Sequence, residues 1–239
     1  MAEPTPATPE AERDSASGAA ARSLRSFLPR TPGSWLVLAL AVLIAAGGLI
    51  FAWTQLPHDP GEHSPEAGFL RDMQTHHSQA VQMAMAIRDR TSDEQLKALT
   101  TDMAFAQAGE IGMMQGYLDA WNLPATGTDA PMAWMGHPLA DGESMPGMAS
   151  DEGLAKLSSL PVDQAEILFL QLMIRHHQGG VEMAQALLDR SDNALVRDLA
   201  QRIIRTQNNE INTMNIFLQE RGAQPITDPL PASPDHSGM

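Results

Sequence analysis

Two segments of the sequence, one hundred residues apart, carry the same pattern of methionine and histidine. The first reads FLRDMQTHHSQAVQMA (residues 69–84) and the second reads FLQLMIRHHQGGVEMA (residues 169–184). Imidazole nitrogen and thioether sulfur both bind soft metal ions, and together they suit Cu(I) or Ag(I). The repeated pattern therefore predicts metal binding through Met73, His76, His77, Met83, Met173, His176, His177 and Met183.

Helical periodicity predicts that these histidines point inward. At 100° per residue, Phe69, Met73, His76, His77 and Met83 fall on one apolar stripe, and the second copy repeats the arrangement. We therefore expect both imidazoles of each motif to face the core of a helical bundle.

The helix after each motif places polar residues on its apolar stripe as well. These are Gln107 and Glu110 in the first copy and Gln207 and Glu210 in the second. A buried carboxylate is unfavourable unless it is paired, hydrogen-bonded or metal-bound. One interpretation is a satisfied network in which each Glu accepts a hydrogen bond from a histidine, with methionine as flexible core filler. The alternative, favoured by the duplication, is a metal site in which these four residues orient the metal-binding imidazoles.

A segment rich in Met, Gly and Pro joins the two copies over residues 124–150. Its length excludes a tight turn. It supplies further candidate ligands, Met132, Met135, His137, Met145 and Met148. The alternative interpretation is a hydrophobic flap over the end of the bundle.

Four helices would position these residues. Start and stop signals predict two antiparallel helical hairpins, with Ser92 capping the second helix and Ser191 or Asp192 capping the fourth. The hairpins align without a gap from residues 69–118 to residues 169–218. The predicted fold is therefore all-α, a four-helix bundle over residues 65–222 with approximate twofold symmetry. Gly179-Gly180 replace Gln79-Ala80 in the second copy, which predicts a close helix approach or a kink and makes the two sites unequal.

Residues 35–53 are uncharged, overwhelmingly apolar and long enough for a transmembrane helix. Arginines precede this segment and acids follow it, so residues 1–34 are predicted to be a disordered cytoplasmic tail. A cleaved signal peptide is the alternative, but the long preceding tail favours an uncleaved signal anchor. Residues 54–64 are then a linker, and residues 223–239 are a second disordered tail.

Charge and composition restrict the partners. The formal net charge is −14 and there is no cysteine. An acidic body does not favour nucleic acid, and neither disulfides nor thiolate metal sites can form. The expected partners are a metal ion and, through residues 35–53, a membrane. A second copy of the chain or a copper-handling protein is a further candidate.

Three stretches resemble the bacterial family catalogued as domain of unknown function 305. They are SPEAGFLRDMQTHHSQAVQMA, MPGMAS (residues 145–150) and FLQLMIRHHQGGVEMA, and the resemblance covers roughly residues 58–222. It implies a ferritin-like four-helix bundle, export or membrane anchoring, and, in some members, binding of copper or silver through Met and His. The expected function is thus a membrane-anchored, extracytoplasmic buffer or chaperone for Cu(I) or Ag(I) that contributes to metal tolerance.

Two other functions are weighed against this one. A structural or adaptor bundle would use the polar core for packing specificity alone. A ferritin-like di-metal oxidase would need Glu-x-x-His motifs, and none occurs in the chain. No arrangement of nucleophile and base is evident either, so we expect the protein not to be an enzyme.

Overall fold

The computed structural model describes residues 31–54 and 59–230, and every regular element within these ranges is a helix. This confirms the predicted all-α class. The elements are α1 (Pro32–Thr54), α2 (Pro65–Arg88), α3 (Glu94–Ala120), a short 3-10 helix (Ala133–Met135), α4 (Asp151–Ser159), α5 (Val162–Leu188) and α6 (Ala194–Glu220). Most of the predicted N-terminal tail (residues 1–30), part of the linker (residues 55–58) and residues 231–239 lie outside the described residues.

Helix α1 belongs to a separate unit and is exposed over residues 31–52. Its stretch Pro32–Ala52 is long and apolar enough, by length and composition, to cross a membrane. A signal peptide can share these properties, so retention of α1 as an anchor remains a prediction.

The other helices form the predicted four-helix bundle. Helix α2 packs on α3, α5 packs on α6, and the two hairpins meet through α2 and α5. The apolar core falls into two clusters, and each contains residues from both hairpins. Burial of the apolar stripe of every helix against its neighbours is the main stabilising term of such a fold.

The two hairpin turns are built alike, and both helix starts differ from the prediction. Asp93 accepts hydrogen bonds from the first turn of α3, and Asn193 does the same for α6. In each turn a hydroxyl, from Thr91 or Ser191, accepts the backbone N–H two residues on. This local turn delays the helix, so the predicted caps at Ser92 and at Ser191 or Asp192 are wrong.

Each turn also hydrogen-bonds to the opposite hairpin. The Thr91 hydroxyl donates to Glu166 over 2.6 Å, and the Ser191 hydroxyl donates to Glu66. The two pairs are related by the same offset of one hundred residues as the motifs. The contact between the hairpins is therefore reciprocal, as it is across a twofold axis.

The segment between the hairpins lies against the bundle. The Asp72 carboxylate accepts hydrogen bonds from Met132 N and Trp134 Nε1, both over 2.8 Å. A side chain at Gly68 would collide with Trp134, so glycine is required where this segment crosses α2. The segment leads into α4, a helix that the sequence patterns did not indicate.

The beginning of the predicted C-terminal tail is also fixed to the bundle. Asn215 pairs with both backbone groups of Ile226, over 2.7 and 3.0 Å. Arg175 forms an ion pair with Asp228 over 2.7 Å. The prediction of disorder is therefore wrong for residues 223–230, because polar groups of α5 and α6 bind this stretch.

Candidate metal centre

The four motif histidines form a buried layer at the contact between α2 and α5. His76, His77, His176 and His177 have no exposed surface. The rings of His76 and His176 stack at a tilt of 33° with centroids 3.7 Å apart, and the two rings within each motif lie 6.5 and 6.2 Å apart. The predicted inward orientation is thus what the structure has, and we call these four residues the histidine layer.

Every imidazole of the layer uses Nε2 as a hydrogen-bond donor. His77 donates to Glu110 and His177 donates to Glu210, both over 2.7 Å. The acceptors of the other two are backbone carbonyls: His76 donates to Pro146 O over 3.1 Å, and His176 donates to His76 O over 3.0 Å. Carbonyl and ionised carboxylate oxygens only accept, so a ring in its neutral form has its proton on Nε2.

The Nδ1 atom of each ring then carries a lone pair. All four Nδ1 atoms are buried and have no hydrogen-bond partner among the described residues. An unsatisfied buried acceptor costs about 1–3 kcal/mol. In metalloproteins, a histidine ligand binds the ion through one nitrogen and donates its other N–H to a carboxylate or carbonyl. Each ring of the histidine layer has the hydrogen bond that such a ligand makes, so its Nδ1 is chemically suited to bind a metal ion.

Burial also keeps the stacked pair neutral. It lowers the pKa of His76 to about 3, with the nearby His77 adding to the effect and the Pro146 hydrogen bond opposing it. Burial, followed by the proximity of His76, lowers the pKa of His176 well below its usual value. Neutral imidazole is the form that binds metal ions, so protons do not compete at this pair near neutral pH.

The four motif methionines are fully buried on the two sides of the histidine layer. Met73 of the first motif belongs to the same core cluster as Met183 of the second. Met83 likewise belongs to the same cluster as Met173. Each group of thioethers therefore combines both hairpins, whereas the sequence pattern suggested one set of ligands per hairpin. We call them the Met73/Met183 end and the Met83/Met173 end.

The four candidate methionines between the hairpins lie toward one end. Met132, Met135 and Met145 are buried in the cluster of the Met73/Met183 end, and Met148 packs against it. His137 is exposed and is not part of this cluster. The segment thus covers one end of the bundle, as the flap interpretation expects, and also brings thioethers there. Within the described residues, no three His, Asp or Glu side chains cluster closely enough to hold a metal ion.

The two candidate glutamines are in the core but do not orient the histidines. Gln107 and Gln207 are 3% and 2% exposed, and neither amide has a hydrogen-bond partner in the described part of the chain. Gln207 lies where a side chain at Gly180 would be. The predicted orienting geometry is therefore present for Glu110 and Glu210, and absent for the glutamines within those residues.

Gly179 of the second motif is explained by a close backbone approach, whereas Gly180 makes room for the Gln207 side chain. A Cβ on Gly179 would collide with the Pro146 carbonyl, and α5 continues through this point without interruption. On the facing chain, Gly147 has a φ of 74° and leaves no room for a Cβ against Arg175 O. Pro146 is the contact that the sequence analysis missed. The Pro146-Gly147 pair and the glycines of the second motif were its only sequence signals.

Comparison with known proteins identifies relatives of this bundle. The model of the family "Domain of unknown function (DUF305)" matches residues 66–218. A solved DUF305 protein of Streptomyces coelicolor, which its name proposes to be secreted, is 44% identical, with a TM-score of 0.65 over 70% of this chain and 100% of its own. A DUF305 fragment from Deinococcus radiodurans is 34% identical, with a TM-score of 0.57 over 69% of this chain and 99% of its own.

Two further relatives align with different shares of this chain. CopM in its Cu(II)-bound form is 27% identical, with a TM-score of 0.54 over 66% of this chain and 97% of its own. An uncharacterised protein of Acanthamoeba polyphaga mimivirus is 39% identical over 56 residues, which are 23% of this chain and 37% of that protein. The chain thus matches little more than a third of the length of this curated relative.

Proposed function

The chain belongs to the DUF305 family, and on that premise we propose that its bundle is a non-enzymatic, extracytoplasmic metal-binding unit that buffers or delivers copper. One observation carries the proposal. Four buried imidazoles, each with its Nε2–H bonded to an acceptor, have buried Nδ1 atoms without a partner in the described residues. A bound ion would satisfy them.

The nature of the flanking donors favours copper in its reduced form. Thioethers lie on both sides of the histidine layer, and sulfur with imidazole suits Cu(I) or Ag(I) better than hard cations. The Cu(II)-bound form of CopM, a relative with the same fold, supports copper as the cargo. The role that follows is retention or transfer of copper, which would contribute to metal tolerance.

Helix α1 and the relatives support the proposed location. An uncleaved α1 would make the protein a single-pass membrane protein with its N-terminus in the cytoplasm. The bundle would then face the extracytoplasmic side, in agreement with the name of the Streptomyces coelicolor relative, which proposes that it is secreted. A second copy of the chain or a copper-handling protein would be the partner for transfer.

The structural or adaptor role has one observation in its favour. Each imidazole N–H of the histidine layer already has an acceptor, so the layer could serve packing specificity alone. The two functions differ in their response to metal. A ligand that binds the folded state raises the melting temperature, whereas a purely structural layer leaves it unchanged.

The deciding experiment is an anaerobic titration of the full-length chain, in detergent micelles, with Cu(I) against a competing chelator. We expect tight binding that is lost when His76, His77, His176 and His177 are replaced by Phe, which fills the space without a ligand. His63→Ala, at an exposed position, is the control. Wild-type affinity in the fourfold variant would refute the proposal.

The absence of enzymatic activity is part of the proposal. A di-iron site of the ferritin type takes Glu-x-x-His motifs, which this sequence lacks. We therefore expect no oxygen consumption when the chain is mixed with Fe(II). Rapid oxygen consumption that depends on the histidine layer would establish an oxidase instead.

A further inference from the structure

The histidine layer depends on one contact from outside the four-helix bundle. Three of its acceptors belong to the bundle helices, namely the carboxylates of Glu110 and Glu210 and the backbone carbonyl of His76. The fourth, which binds His76 Nε2, is the Pro146 carbonyl in the connection between the hairpins. We call residues 145–149 the positioning segment.

Side chains and backbone of α2 and α5 hold the positioning segment in place. Gln79 of α2 pairs with both backbone groups of Ala149: its Oε1 accepts from the N–H over 2.7 Å, and its Nε2 donates to the carbonyl over 3.0 Å. On α5, Gly179 leaves the space that the Pro146 carbonyl occupies. Gly147 takes a left-handed conformation that fits its backbone against Arg175.

These contacts account for the place where the two motifs differ. Gln79 and Gly179 are equivalent positions, and both contact the positioning segment, one by hydrogen bonds and the other by leaving room. The positioning segment occurs once in the chain, so it has no twofold-related counterpart. The two copies of the motif must therefore contact it in different ways. The change from Gln79 to Gly179 is thus explained by contact with the segment whose Pro146 carbonyl binds His76.

We propose that the positioning segment fixes the tautomer and orientation of His76 through the Pro146 carbonyl, as Glu110 does for His77 through its carboxylate. His76 Nδ1 is thereby kept as the lone-pair donor that faces the core. Gln79 and Gly179 are positioning residues, since they act through the segment. The consequence for metal affinity rests on the proposed function, whereas the effect on the imidazole does not.

The test is nuclear magnetic resonance of the metal-free, full-length chain in micelles with 15N-labelled histidine. The 15N shifts of an imidazole distinguish the protonated from the unprotonated nitrogen. In the wild type we expect His76 in the Nε2–H form. In Gly179→Ala, whose new methyl displaces the Pro146 carbonyl, we expect a mixture of tautomers. Exchange of the His76 N–H with water should become about tenfold faster, as expected for the loss of a typical hydrogen bond.

Two further variants distinguish a local change at His76 from a general effect on folding. Gln79→Ala removes both hydrogen bonds to Ala149 from the other side of the segment and should change His76 in the same way. Gly109→Ala is the matched control, because a Cβ there meets nothing within 4 Å among the described residues. His77 and His177 serve as internal references, since their carboxylate acceptors do not depend on the segment.

The outcomes separate this inference from the proposed function. A change confined to His76 and to its stacked neighbour His176, in both test variants, supports it. An unchanged His76, or equal changes at His77 and His177, overturns it.

With Cu(I) in a chelator competition, loss of an orienting partner should weaken binding by about 10- to 100-fold. Unchanged affinity despite an altered tautomer would overturn the metal part. A wild type that binds no Cu(I) would refute the proposed function alone, because the nitrogen shifts still decide the positioning role.

Discussion

The two hairpins share the His–Glu hydrogen bond of their polar core but differ where they contact the rest of the chain. His77 with Glu110 and His177 with Glu210 have the same bond length of 2.7 Å. Two positions later on each helix, Gln79 and Gly179 have different side chains and different roles. A duplicated fold thus keeps the residues that face its shared axis, and it diverges where a single-copy segment meets only one side.

The two ends of the histidine layer show the same contrast. The Met73/Met183 end is covered by the segment that carries Met132, Met135 and Met145, whereas no methionine of that segment belongs to the cluster at the Met83/Met173 end. If thioether number governs affinity for a soft ion, the two ends should hold Cu(I) with different strength. These differences, between the two hairpins and between the two ends of the histidine layer, can be measured.

The largest predicted effect is a dependence of stability on pH. It compares variants of the stacked pair, His76 and His176, with a variant of an exposed histidine. His76 and His176 have lowered pKa values in the folded chain, so the unfolded chain binds more protons below about pH 6.5, the usual histidine value. Stability is therefore full above that pH and falls as the pH drops toward 3. The slope approaches about 1.4 kcal/mol per pH unit for each histidine. Chemical denaturation of the metal-free chain between pH 8 and about 5 measures it.

Replacing both stacked histidines by Phe should flatten this slope, and His137→Ala should not. His137 is exposed, which makes it a suitable control. A metal-free wild type with constant unfolding free energy over the same range would contradict the assignment of the stacked pair as neutral and buried.

The second prediction compares the two ends. Met→Leu changes conserve volume and cost less than about 1.5 kcal/mol of stability. Met83→Leu with Met173→Leu should weaken Cu(I) binding by roughly 100-fold, whereas Met73→Leu with Met183→Leu should weaken it less. Four buried methionines remain in the cluster of the Met73/Met183 end, against two, Met103 and Met214, at the other end. Competition titrations of both double variants measure the difference. Equal losses would show that the covering segment contributes no ligand.

The third prediction compares glycines of the two hairpins by stability. Gly179→Ala places a methyl against the Pro146 backbone and should destabilise the chain by about 1–3 kcal/mol. Gly109→Ala adds a methyl where nothing lies within 4 Å among the described residues, so it should stabilise α3 by up to about 1 kcal/mol. Denaturant midpoints measure both. Stabilisation by Gly179→Ala would mean that the segment does not pack on α5.

The smallest predicted effect is the stability lost when the N-cap of α3 or of α6 is replaced. Asp93→Ala and Asn193→Ala each remove two hydrogen bonds to backbone N–H groups, at a cost of about 1 kcal/mol. Asp93 also pairs with Arg221, so its replacement should cost slightly more. Thermal unfolding of the two variants gives the comparison, and a larger loss for Asn193→Ala would reverse it.

The sequence predicted those features that depend on periodicity and repetition. The burial of His76 and His176 followed from helical phase, and the pairing of His77 with Glu110 followed from two polar groups on the inward stripes of neighbouring helices. The Pro146 contact could not be found in this way, because a backbone carbonyl has no side-chain signature. The grouping of Met73 with Met183 depends on how α2 and α5 pack, which the pattern of a single helix does not contain.

The reciprocal bonds of Thr91 with Glu166 and of Ser191 with Glu66 have a consequence for the order of folding. His77 and Glu110 are 33 residues apart, whereas Ser191 and Glu66 are 125 residues apart. Contacts close in sequence form faster than distant ones, because less chain entropy is lost in closing them. We expect each hairpin to form early with its own His–Glu bond. The ring stack and the mixed thioether groups, which need both hairpins, would then assemble last, at the docking step that these reciprocal bonds complete.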